Sequence, residues 1–92
     1  MKQARARHIL VKKADKAKKL LKLIDQGANF GDIAKEHSKC PSGKQGGDLG
    51  TFKPGEMVEE FDKIVFKENL GKVHGPIKTS FGFHLIEILE RK

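Results

Sequence analysis

The sequence predicts an α+β domain in which strands at the two ends of the chain enclose a group of helices. Side chains alternate with a period of two in Ala4–Val11 and again in Phe83–Leu89, the first and last patterned segments. Between them apolar residues recur at three- and four-residue spacing, and Gly and Pro mark the junctions. Helices grouped between strands suggest an α+β arrangement.

From Ala4 to Val11 the alternation sets Ala6, His8 and Leu10 on one strand face and Arg7, Ile9 and Val11 on the other. Asp15 reads as the N-cap of a first helix, whose buried stripe is Ala17, Leu20, Leu21 and Ile24 and whose stop is Gly27. Asn29 opens a second helix with Phe30, Ile33 and Ala34 inward and His37 one turn beyond, ending near Ser38. Pro41 and the glycines at 43, 46, 47 and 50 then make an irregular loop, with a short strand over Leu49–Phe52. After a Pro54-Gly55 turn, Met57, Phe61, Ile64 and Val65 repeat at helical spacing. Val73–Lys78 and Phe83–Leu89 are the last two strands, and their short connection allows a hairpin.

At 92 residues the chain reads as one domain, 1–92, which buries roughly 60–65% of the surface its unfolded form exposes. With 37% apolar residues and neither Trp nor Tyr, six Phe carry the aromatic packing of that single core. The lone Cys40 has no internal disulfide partner, and Met1–Arg7 lacks the apolar stretch of a secretion signal. A complete, soluble, cytoplasmic protein is the expectation, and no apolar run approaches the roughly 20 residues that cross a bilayer. Nothing in the sequence demands more than a monomer.

The net charge of +7 is concentrated: residues 1–22 hold nine basic side chains against Asp15 alone. Such a block attracts nucleic acid, anionic membrane or acidic protein, but it also describes a solvated helix face. It lacks interleaved aromatics and any recognition-helix signature, so nucleic acid ranks as a secondary partner.

Cys40-Pro41-Ser42-Gly43-Lys44-Gln45-Gly46-Gly47-Asp48-Leu49-Gly50, followed by Phe52, Met57 and Phe61, joins a thiol, a glycine-rich loop and an apolar shelf. Together with His8-Ile9-Leu10-Val11-Lys12 and Phe81-Gly82-Phe83-His84, this resembles the parvulins, small peptidyl-prolyl cis/trans isomerases, over nearly the whole chain. The resemblance implies a four-stranded antiparallel sheet surrounded by about three helices, order βααβαββ with room for a short helical turn, of the parvulin/FKBP-like kind. The first and last strands should be adjacent at its centre.

Rotation about an X-Pro bond meets a barrier of about 18–20 kcal/mol and takes tens to hundreds of seconds unaided. No bond is made or broken, so a catalyst must bind the twisted amide better than the planar forms, and 10⁴-fold acceleration needs about 5.4 kcal/mol of such preference. Two parts are required: an apolar seat for the proline ring and surroundings that favour loss of amide resonance. For the seat the resemblance implies Leu49, Met57 and Phe61, with Phe52 nearby and Phe81 as an aromatic wall. For the surroundings it implies His8, His84 and Cys40 beneath the substrate, with Thr79 bridging their hydrogen bonds. Gly82 suits a tight turn into the last strand.

Other chemistries fit less well. Cys40 near an imidazole has the makings of a nucleophile, but rotation needs no adduct, and parvulins can carry Asp at the matching position. Gly43-Lys44 lacks a phosphate-loop pattern, because Gln45 stands where Ser or Thr is needed and Ser38 where the first Gly belongs. Cys40 and four histidines show no CxxC or HxxxH spacing for zinc, so His37 and His74 read as surface residues. No cofactor, metal or nucleotide is implied.

Phosphate-selective parvulins grip their substrate with a basic cluster after the first strand. Here Lys12 matches one position and the paired arginines have no counterpart, which implies a non-phospho-selective, PpiC-like isomerase acting on proline-containing segments of unfolded or flexible proteins. A noncatalytic client-binding chaperone module is the alternative on the same fold.

Overall fold

The computed structural model describes residues 2–92. In chain order the elements are β1 (Ala4–Val11), α1 (Ala14–Asp25), α2 (Phe30–His37), a 3-10 turn (Pro41–Gln45), β2 (Asp48–Phe52), α3 (Glu59–Val65), β3 (Val73–Thr79) and β4 (Gly82–Arg91). The four strands form one antiparallel sheet ordered β2-β1-β4-β3, so the two ends of the chain pair at its centre.

Strand alternation divides the core into two layers. Ile9, Val11 and Leu85 face α1 and α2, where they pack with Ala17, Leu20, Phe30, Ile33 and Ala34. Ala4, Ala6 and Ile86 face the other way, onto Phe52, Phe61 and Val65. His8 and His84 are buried and share strand parity with this second set. A one-residue slip of β1 against β4 would send His8 to the face opposite His84 and separate the pair.

Three local features differ from the sequence expectation. Helix α1 starts at Ala14 with Lys13 as its N-cap, so Asp15 lies inside the first turn. Its charge there complements the helix dipole instead of capping an amide. Helix α3 begins only at Glu59, because Val58 has extended backbone, so Met57 stands on the preceding loop and not on a shared helix face with Phe61. Glu59, Glu60 and Asp62 in the first turn favour that later start. Finally, the segment after Cys40 is not irregular throughout: Pro41 occupies a first-turn position and Pro41–Gln45 closes a 3-10 turn ending at left-handed Gly46.

Gly82 turns into β4 at φ +142, as anticipated for that position, and a Cβ there would collide with the Val11 carbonyl. None of the helices is long and apolar enough to cross a membrane, among the described residues.

Candidate active site

Half of β1 lacks a strand partner on its β2 side, and the site is built from what replaces it. Pairing with β2 ends at Arg7, opposite Asp48. Beyond it, the His8 amide donates to the Gly47 carbonyl at 3.0 Å. The Leu10 amide donates to Ser38 Oγ at 3.1 Å and the Leu10 carbonyl accepts from the Lys39 amide at 2.7 Å. These bonds satisfy the buried backbone and pin residues 38–47 along the strand that carries His8. Gly47, at φ +85, lies so close to the His8 backbone that no side chain fits there.

Across β1 and β4, Leu10 sits opposite His84 and His8 opposite Ile86, so the histidines are diagonal neighbours. Their rings lie 5.3 Å apart and nearly parallel, with an interplanar angle of 14°. Nδ1 of His8 and Nδ1 of His84 are 3.1 Å apart, within hydrogen-bond reach. His84 Nε2 meets Thr79 Oγ1 at 2.7 Å, and His8 Nε2 meets Ser42 Oγ at 3.2 Å. Ser42 Oγ in turn donates to Cys40 Sγ at 3.3 Å.

The chain Cys40–Ser42–His8–His84–Thr79 uses all four ring nitrogens. One sense runs Thr79 O–H to His84, His84 N–H to His8, His8 N–H to Ser42 and Ser42 O–H to the sulfur; reversing every donor satisfies the same atoms. Both senses need neutral imidazoles, since two donors cannot face each other at Nδ1. Burial, reinforced by His84, pushes His8 down to about 4. Burial also lowers His84, partly offset by the negative charge of Glu60.

Above this network opens a cavity of about 360 Å³, its lining almost wholly apolar. Leu49, Met57, Phe61 and Phe81 line it, and Cys40, His8 and His84 also reach its surface. Phe61 stands edge-on to both imidazoles, at 5.7 Å from His8 and 6.2 Å from His84. Phe81 is 55% exposed, which leaves its ring free to meet a ligand.

Phe52 sits elsewhere than expected, Thr79 joins the histidine hydrogen bonds as expected, and Cys40 is linked to them less directly than expected. Phe52 does not line the cavity; it is buried behind Phe61, edge-on at 5.9 Å, and supports that ring from the core side. Thr79 is buried beneath His84 and acts through that imidazole. Cys40 reaches the histidines through Ser42 and not by direct contact.

Ser42 was not singled out from the sequence, because loop positions carry no periodicity that says which side chain turns inward. Leu10, Lys39, Pro41 and Val58 complete the lining. Of these only Leu10 had a legible signal, its shared strand face with His8.

The model of the family described as "PPIC-type PPIASE domain" matches residues 1–92. The chain is 47% identical over 92 residues to the foldase protein PrsA of Exiguobacterium sibiricum, covering 98% of this chain and 30% of that protein. The crystal structure of the peptidylprolyl isomerase PrsA from Bacillus anthracis superposes with a TM-score of 0.96 at 36% identity, over 99% of this chain and 42% of the other. NmPin, the parvulin of Nitrosopumilus maritimus, superposes with a TM-score of 0.87 at 37% identity, over 98% of both chains. The chain thus spans about a third of the length of the curated relatives it matches. Full-length agreement with the family, on a sheet that puts its two histidines at the centre as the parvulin pattern requires, leaves one assignment: the chain belongs to the PpiC-type, or parvulin, family of peptidyl-prolyl isomerase domains.

Proposed function

We propose that this protein is a peptidyl-prolyl cis/trans isomerase that assists folding by accelerating X-Pro rotation in unfolded or flexible segments. The observation that carries this is the hydrogen-bonded pair of buried, neutral imidazoles directly under an apolar cavity. The proline ring sits on Leu49, Met57 and Phe61 with Phe81 at its side. A planar amide is strongly dipolar through its resonance, and twisting removes that resonance. An apolar seat therefore disfavours the planar form relative to the twisted one, which is the differential binding catalysis needs.

The reaction is noncovalent. A thiol nucleophile requires a base within hydrogen-bond reach, and Cys40 Sγ meets a serine hydroxyl instead of an imidazole. Neutral histidines also supply no cation to hold a thiolate. The network serves to keep the floor of the cavity rigid and fully satisfied while the bond turns.

Slow prolyl isomerisation limits folding, so unfolded clients are the natural substrates. Relatives named as foldases and as a chaperone agree with that role. The free, half-buried Cys40 suits a reducing compartment such as the cytoplasm.

A protease-coupled assay on a short Ala-Pro peptide tests the activity. Turnover at the uncatalysed rate by folded protein leaves the noncatalytic client-binding role.

A further inference from the structure

Of the residues that line the cavity, Lys39 alone bears a full charge, given neutral imidazoles, and it stands at the cavity's edge because the lining itself is almost wholly apolar. Its position is fixed by the chain: the Lys39 amide donates to the Leu10 carbonyl at 2.7 Å, which holds its backbone against β1 one residue before Cys40. The side chain itself is exposed. Lys12, just beyond β1, is also exposed, and its Nζ donates to the Phe81 carbonyl at 3.2 Å, so a second ammonium group stands beside the Phe81 wall. Neither lysine forms an ion pair within the described residues. The carboxylate acting on the site from the opposite element is Glu60 of α3, the helix that carries Phe61.

We propose that Lys39, seconded by Lys12, selects peptides with a carboxylate side chain on a residue adjacent to the proline. This deepens the isomerase assignment and rests on it for the position of the proline ring. With the ring on Leu49, Met57 and Phe61, the neighbouring residue extends toward the Lys39 and Phe81 side, where its charge is met by an unpaired cation. Glu60 penalises the reverse placement of an acidic residue over α3. Both lysines are flexible point charges without a bidentate fork, so they favour a single carboxylate without the tight grip that a phosphate receives from arginines.

The test measures kcat/KM for one peptide frame with Ala, Glu, Lys or phosphoserine placed before the proline and, separately, after it. Binding of the same peptides is followed in parallel by NMR shift titration. At low salt, Glu on one side of the proline should exceed Ala about two- to five-fold, the range of an exposed ion pair, and Lys should fall below Ala. That Glu:Ala ratio should approach one in Lys39→Ala and invert in Lys39→Glu, where Lys peptides become the better ligands. Salt at about 0.5 M should shrink it.

Glu equal to or below Ala on both sides overturns the proposal, as does a Glu preference unchanged in Lys39→Ala. A phosphoserine gain many times larger than that of Glu replaces the carboxylate assignment with a phosphate one. If no peptide turns over, the isomerase assignment fails by itself, and the binding titration still reads the charge preference.

Discussion

His8 and His84 face each other through their Nδ1 atoms at 3.1 Å, although the sheet register makes them diagonal and not directly opposed. A diagonal pair is separated by more backbone than an opposed one, and ring side chains are what can span it. The result is a contact between the two ends of the chain that tolerates one proton and excludes two.

Acid should weaken the fold through His8. Its folded value is near 4 while an unfolded histidine titrates near 6.5, so between these limits the unfolded state binds more protons. Stability contributed by the neutral imidazole is fully present above about pH 6.5 and is lost as pH falls through that window, by about 3 kcal/mol at the end of it. His84 is shifted in the same direction and adds to the loss. Urea unfolding from pH 8 to pH 4.5 measures it, and a profile flat across that range contradicts a neutral pair.

Thr79→Ala should cost about 1–3 kcal/mol, because it strips the buried His84 Nε2 of its partner. Ser42→Ala, at a half-buried position, should cost less stability, about 1 kcal/mol, while freeing His8 Nε2 and the Cys40 thiol together. Activity should fall in both mainly through kcat. Chemical denaturation and steady-state kinetics on the same preparations separate the two effects, and a purely KM effect speaks against a role for the network during rotation.

Met57 and Phe61 line one cavity but should respond differently. Met57 is half-buried on a loop, so Met57→Ala should raise KM several-fold with little change in stability. Phe61 is 3% exposed and packs on Phe52 and both histidines. Phe61→Ala should therefore also destabilise the protein by about 3–5 kcal/mol. Thermal melts alongside KM values check this; equal melting temperatures for the two variants refute the division.

Cys40→Asp should keep most of the activity. Its carboxylate can accept the Ser42 hydroxyl in place of sulfur, leaving the histidine chain intact. An obligatory nucleophile behaves otherwise, with losses on the order of 10⁴-fold or more when it is removed. Residual kcat/KM in folded Cys40→Asp protein distinguishes the two.

Much of this was readable along the chain. The parity of Ala6, His8 and Leu10, and of His84, Ile86 and Ile88, follows from period-two alternation, so each histidine's face was known from its own strand. The same local logic located Gly82, and the parvulin motifs anticipated the central pairing of β1 with β4. The two-residue misplacements at the starts of α1 and α3 were also local in origin: a capping residue and a helical repeat describe preference, and neighbouring turns decided where the helices began.

By itself, the sequence determined which residue types were available, which strand face each histidine occupied and which family's pattern they matched. Only the tertiary structure decided that Ser42 joins Cys40 to His8, that Phe52 backs Phe61 from the core instead of meeting substrate, and that Lys39 lines the cavity. The physical reason is that periodicity governs side chains on regular elements. Residues 38–47 instead take their conformation from the unpaired amides and carbonyls of β1, a partner about thirty positions away in sequence.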